Sequence, residues 1–113
     1  MKKLFCIFSL FLSTIACSQD FPSGLHVVEF NASFNNANAV AWLPKLTDCN
    51  TERVDITTDS RWANEYKIVV VPTLVVFNNN EEVKRFQANI MMTMEATRKE
   101  VQESIDEIVM EAF

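Results

Sequence analysis

The chain is poor in the residues that most chemistry needs. Its 113 residues include one glycine, one histidine, three prolines and three cysteines. The histidine, His26, has no second metal-type ligand near it in sequence, so it reads as a solvated side chain at a strand start and no metal centre is expected. Positive charge is also short, with 10 Lys and Arg against 15 Asp and Glu and a net charge of −5. An acidic chain without a basic cluster is a poor binder of nucleic acid and is not held to anionic lipid by surface charge. Of the cysteines, Cys6 and Cys17 fall in the amino-terminal segment, which leaves Cys49 as the one thiol of a processed chain. Unless Cys17 is retained unmodified, no internal disulfide can form and stability must come from an apolar core. No repeat or low-complexity segment is present, and the length suits one domain.

What is there begins with Lys2-Lys3, an apolar run over 4–15, and the small residues Ala16-Cys17-Ser18. These are the three parts of a bacterial secretory signal, and the run is shorter than the ~20 residues a membrane helix needs. Two processing routes fit. Cleavage after Ser18 makes 1–18 a signal peptide and 19–113 the mature domain. Alternatively, Thr14-Ile15-Ala16-Cys17 is a lipoprotein box with signal 1–16, although Thr14 stands where leucine is usual, and Cys17 is then the lipidation site. The expected location is the periplasm or outside the cell, or the membrane of a Gram-negative bacterium if Cys17 is lipidated. Membrane contact is expected only in that case. Either route removes Lys2 and Lys3 and leaves the domain more acidic.

Residues 20–24, with Pro22 and Gly24, read as a short linker. A strand follows over 25–30. A helix is expected over 35–48, capped by Asn35 or Asn36, with Ala39, Trp42, Leu43 and Leu46 toward a sheet and a kink at Pro44. A short strand is expected over 53–57, and a helix over 58–66 capped by Thr58, Asp59 or Ser60. The β-branched run that begins at Ile68 is broken at Val71-Pro72-Thr73 and continues through 74–77, an unbroken apolar run that suits a strand buried on both faces. Pro72 lacks an N–H and should open this strand rather than sit within it. Asn78-Asn79-Asn80 then turns the chain into an edge strand that ends near Phe86 or Gln87. The last helix starts at a capping box, Thr97-x-x-Glu100. Its apolar stripe is Val101, Ile105, Ile108, Val109 and Ala112, and Glu103, Asp106, Glu107 and Glu111 form a solvated face.

Two stretches resemble the thioredoxin family. Val71-Pro72-Thr73, followed by an apolar strand and Asn78-Asn79, is similar to that family's cis-proline segment, and Tyr66 stands where the family often has tyrosine. Val27-Val28-Glu29-Phe30-Asn31-Ala32-Ser33-Phe34 looks like the segment that leads into its active site. The resemblance covers about 25 to 108 and implies an α/β thioredoxin-like fold: a central mixed sheet of about four strands flanked by helices. The family's usual first strand and helix have no room here. It also implies that Pro72 is cis.

Where the family carries Cys-Gly-Pro-Cys, this chain has Asn35-Asn36-Ala37-Asn38. The spacing to Pro44 also permits alignment of the cysteine positions with Asn36 and Ala39, and neither register supplies sulfur. Asparagine offers no thiolate and no redox couple. The four residues therefore read as a degenerate active-site position, with no catalytic residue, no metal and no cofactor. Glu29 takes the place of the family's buried acid without a cysteine to serve. Cys49 is the remaining possible thiol. It reads as a small packed side chain, because the Asp48 carboxylate beside it disfavours thiolate.

A binding surface remains. The resemblance implies a groove at the proline loop, made here by Val70, Val71, Pro72 and Thr73 with Phe34 from the helix tip. Such a groove could hold a protein or peptide partner by strand addition. The run Ile90-Met91-Met92-x-Met94 is a second candidate surface, since methionine adapts to varied partners. Two other readings stay open: a thiol oxidoreductase acting through Cys49 in redox homeostasis, and a small structural lipoprotein. Asn31-Ala32-Ser33 matches a glycosylation sequon with no role in a bacterial exported chain.

Overall fold

The computed structural model describes residues 23–112. The expected export segment, with Cys6 and Cys17, lies outside them.

Four strands form one sheet: β1 (Leu25–Asn31), β2 (Asn50–Asp55), β3 (Thr73–Asn78) and β4 (Glu81–Gln87). Their order is β2-β1-β3-β4, with β1 parallel to β2 and antiparallel to β3, and β3 antiparallel to β4. The two central strands carry the apolar sequence and the two edges carry the charge, which discourages pairing with other chains. Pro72 precedes β3, and the Val71–Pro72 bond is cis. Asn79 and Asn80 both take positive φ in the hairpin turn, a region asparagine tolerates better than most residues.

Successive residues of β1 and β3 point to opposite faces, and each face buries its own cluster. Val28, Phe30, Val75 and Phe77 pack with Ile68 and Val71 under Trp62 and Tyr66 of α1 (Arg61–Tyr66). The Tyr66 ring lies 5.4 Å from Phe30 and 5.5 Å from Phe77, centroid to centroid. On the other face, Val27, Leu74 and Val76 pack with Val40, Leu43, Leu46, Val101 and Ile105. Each such side chain, fully buried, stabilises the fold by about 1.5–3 kcal/mol. Val101 and Ile105 belong to α2 (Arg98–Glu111), whose capping box is formed: Glu100 N–H donates to Thr97, and the Glu100 carboxylate accepts from Thr97 N–H. Ala112 is exposed and falls outside the stripe.

The helix expected over 35–48 is absent. In its place are two 3-10 helices, Ser33–Asn38 and Leu43–Lys45. Pro44 has no N–H to give the Val40 carbonyl, the acceptor an α-helix would require. Arg53 supplies the missing donor, Nη2 to Val40 O at 2.8 Å, and Glu29 accepts the Val40 N–H at 2.9 Å. Both backbone groups of Val40 are thus satisfied by strand side chains. Leu43 and Leu46 still reach the core, while Trp42 is half-buried against it.

Three smaller corrections remain, and two of them come from long-range pairing. β2 begins three residues earlier than expected because Asn50-Thr51-Glu52, polar in sequence, pairs in register with His26, Val27 and Val28. α1 starts at Arg61 rather than Thr58, with Asp59 Oδ1 accepting the Arg61 N–H. His26 is buried rather than solvated, since β1 is flanked on both sides, and its Nδ1 lies 2.8 Å from Glu52 Oε2.

Candidate functional site

The carboxyl end of β1, the start of β3 and the end of β4 meet at one edge of the sheet, where Phe30 pairs with Thr73 and Thr73 with Gln87. Three loops converge there: the first 3-10 helix, the Val69–Pro72 segment and the loop after β4. Asn35 joins them. Its side chain is buried, and Nδ2 donates to Asn31 Oδ1 at 3.2 Å, Met92 O at 3.1 Å and, at the limit of bonding, Val71 O at 3.5 Å. Its Oδ1 accepts from Asn38 Nδ2 at 2.8 Å, and its backbone carbonyl accepts from Asn31 Nδ2. Asn31 closes β1, and Asn35 and Asn38 lie in the 3-10 turn that follows it, so the network forms where the chain leaves the strand. Its only sequence signal was the recurrence of asparagine in this stretch. The sequon asparagine, Asn31, is buried in the network and offers no accessible amide.

Asn36, Ala37 and Asn38 are exposed at the tip, with Phe34 beside them. Pro72 and Thr73 are fully buried, and Val71 nearly so; Thr73 Oγ1 donates to Val70 O at 2.7 Å. Val70 is half-buried, and Val69 is the exposed part of this loop at 83%. Across from it, Asn89 organises the loop after β4: its Oδ1 accepts from Met91 N, Thr93 N and Thr93 Oγ1 at 2.9–3.1 Å. Ile90 (96% exposed) and Met91 (72%) form the tip of this loop, whereas Met94 packs, half-buried, against the core.

A cavity of about 130 Å³ lies between the first 3-10 helix and β2, lined by Glu29, Asn36, Ala39, Arg53 and Asp55. Glu29 is ion-paired with Arg53 inside it. Burial nevertheless holds the Glu29 carboxyl above its ordinary range, outweighing the Val40 N–H and the Arg53 guanidinium. Asp55 accepts hydrogen bonds from the Ser33 and Thr57 hydroxyls, which lower its pKa. No group of three or more potential metal ligands occurs among the described residues.

Cys49 is elsewhere. It precedes β2 at the other end of the sheet, beside Asn50, which pairs with His26. Five residue-to-residue steps along β1 lead from His26 to Asn31, about 17 Å at the usual rise. Burial first, and then the Asp48 carboxylate, push its thiol up to about 11. The proline edge thus presents amides, hydroxyls, apolar side chains and the Met91 and Met92 thioethers, with Cys49 at the opposite end of the sheet.

Several solved structures with this arrangement of strands are thioredoxins. A thioredoxin variant from Halobacterium salinarum superposes with a TM-score of 0.60 at 20% identity, over 75% of this chain and 74% of that one. Schistosoma mansoni thioredoxin gives 0.60 at 21%, over 84% and 86%. Thioredoxin 1 from Thermosipho africanus gives 0.59 at 21%, over 77% and 97%. The fold is thioredoxin-like. No family model and no curated protein sequence matches the chain. At these identities the likeness reaches the architecture, while the amides at 35 and 38 and the apolar side chains around them belong to this sequence.

Proposed function

We propose that this is a redox-inactive thioredoxin-like domain that binds an extended segment of a partner protein in the periplasm or at its membrane face. The observation that carries the reading is where the exposed apolar side chains fall. Seven large ones are exposed among the described residues; Phe34, Val69, Ile90, Met91 and Met92 surround the proline edge, and only Val83 and Met110 lie elsewhere. A rim of this kind marks an interaction surface. The Asn35 bonds to Met92 and Val71 hold its parts together. The Asp55 and Glu95 carboxylates border it on an acidic chain, which favours a segment of alternating apolar residues flanked by lysine or arginine.

Val69 is the residue to change, since its exposure makes the fold indifferent to it. Fluorescence anisotropy of a labelled peptide, alternating valine and threonine with a terminal lysine at each end, reports binding. Val69→Asp should weaken it about tenfold, the equivalent of losing burial of one to two methyl groups and adding a charge to desolvate. Equal affinity of the two proteins sinks the proposal. Insulin reduction under dithiothreitol, run beside Cys49→Ser, tests the redox claim: acceleration that vanishes in the variant would make the chain a thiol oxidoreductase. The remote, weakly acidic Cys49 counts against that alternative. A structural lipoprotein role rests on Cys17, outside the described residues.

A further inference from the structure

The loop after β4 carries a sulfur chemistry separate from the thiol question. Its form is fixed from within: Asn89 N donates to Thr93 O and Met92 N to Asn89 O, both at 3.0 Å, in addition to the three bonds onto Asn89 Oδ1. Met92 takes positive φ (60°) and turns its carbonyl to the Asn35 amide. This geometry holds Met91 outward at the tip, leaves Met92 less exposed (38%) and turns Met94, half-buried, against the core. Exposure controls how fast a thioether meets a small oxidant, so the three methionines of one short loop are graded by position. Of the five exposed side chains of the proline edge, Phe34, Val69 and Ile90 have no sulfur.

We infer that Met91 is an oxidation site whose sulfoxide releases the partner segment from the rim. The inference rests on the reading of the rim as a binding surface. The oxidant is a two-electron oxygen donor, a peroxide or a hypohalous acid. With hydrogen peroxide, a lone pair on Sδ attacks one peroxide oxygen; the S–O bond forms as the O–O bond breaks. The departing hydroxide takes up the proton of the transferred hydroxyl and leaves as water. Sulfur is oxidised by two electrons and peroxide reduced by two. The product places a polar S=O dipole where an apolar side chain would be buried against the partner. A dithiol-dependent sulfoxide reductase reverses it, two thiols becoming a disulfide as the oxygen leaves as water.

The test treats the full chain with hydrogen peroxide and follows each methionine by peptide mass mapping. Met91 should convert several-fold faster than Met92 and Met94. Met110, exposed on α2, should convert as readily and serves as the control. Affinity for the labelled valine–threonine peptide, measured at the same time points, should fall about tenfold in step with Met91. The fall should persist in Met110→Leu and disappear in Met91→Leu, with sulfoxide reductase restoring wild-type affinity. Conversion of Met92 or Met94 ahead of Met91 overturns the site, and full Met91 sulfoxide with unchanged affinity overturns its consequence. Failure of the unoxidised chain to bind the peptide overturns the reading of the rim and the proposed release with it, a result distinct from either.

Discussion

Asn35 should be among the most costly polar side chains to remove. Asn35→Ala deletes two well-formed donor bonds, to Asn31 and Met92, and the acceptor for Asn38. At about 0.5–1.5 kcal/mol for each net hydrogen bond, with the buried Asn31 oxygen left short of a donor, the loss is about 2–3 kcal/mol. The bond to Val71 at 3.5 Å adds little. Urea denaturation followed by the fluorescence of Trp42 and Trp62 reads this directly. For a slope near 1.5 kcal/mol/M, the midpoint should fall by about 1.3–2 M. Asn35→Asp sharpens the test, because it keeps the shape but turns a donor into an acceptor facing two carbonyl oxygens. It should be no more stable than the alanine variant at pH 7 and should recover stability on acidification, as the carboxyl takes up a proton. Asn36→Ala, on an exposed neighbour, should stay within about 0.5 kcal/mol of wild type. An Asn35→Ala midpoint equal to that of Asn36→Ala would refute the idea that this amide joins the three loops.

Two further outcomes follow from the ionisable groups. Because the folded-state pKa of Glu29 lies above its unfolded value, the folded chain keeps a proton that the unfolded chain has released in between. Its contribution is therefore largest below the unfolded value and declines as pH rises through the folded one. The stability difference between wild type and Glu29→Gln should shift in that sense across this window, and a difference independent of pH would contradict it. Asp55 works in the opposite sense, which is why the comparison is made by difference. With its thiol pushed up to about 11, Cys49 should react with iodoacetamide at pH 7.5 roughly two orders of magnitude slower than a free cysteine of pKa near 8.5. A rate near that of glutathione would show the thiol to be available after all.

The readable parts of this chain were those decided locally. The apolar run of β3 with its asparagine turn, and the Thr97–Glu100 box, are short-range signals, and each formed where expected. The segment after β1 was misread because its outcome depends on partners far away in sequence. Pro44 was visible as a kink, but Arg53 and Glu29, which take over the Val40 backbone groups, are 13 and 11 residues from it. The amino half of β2 was missed for a related reason: Asn50 to Glu52 have no apolar alternation and become strand only against β1. At the candidate site, the sequence pointed to the proline loop and to Phe34. It could not show that Pro72 and Thr73 would be buried and that Val69 and Ile90 would form the surface.

The broken segment after β1 has an electrostatic consequence. In an unbroken helix the peptide dipoles add along one axis and place partial positive charge at the first turn, where it stabilises an anion. Here the two 3-10 pieces are separated by residues 39–42, and Asn35 lies at non-helical angles within the first. No single run of aligned peptide dipoles therefore spans residues 33–45. A cysteine placed at Asn35 or Asn36 would lack the summed field that an unbroken helix supplies. The field at this turn is therefore set by the backbone as well as by the side chains.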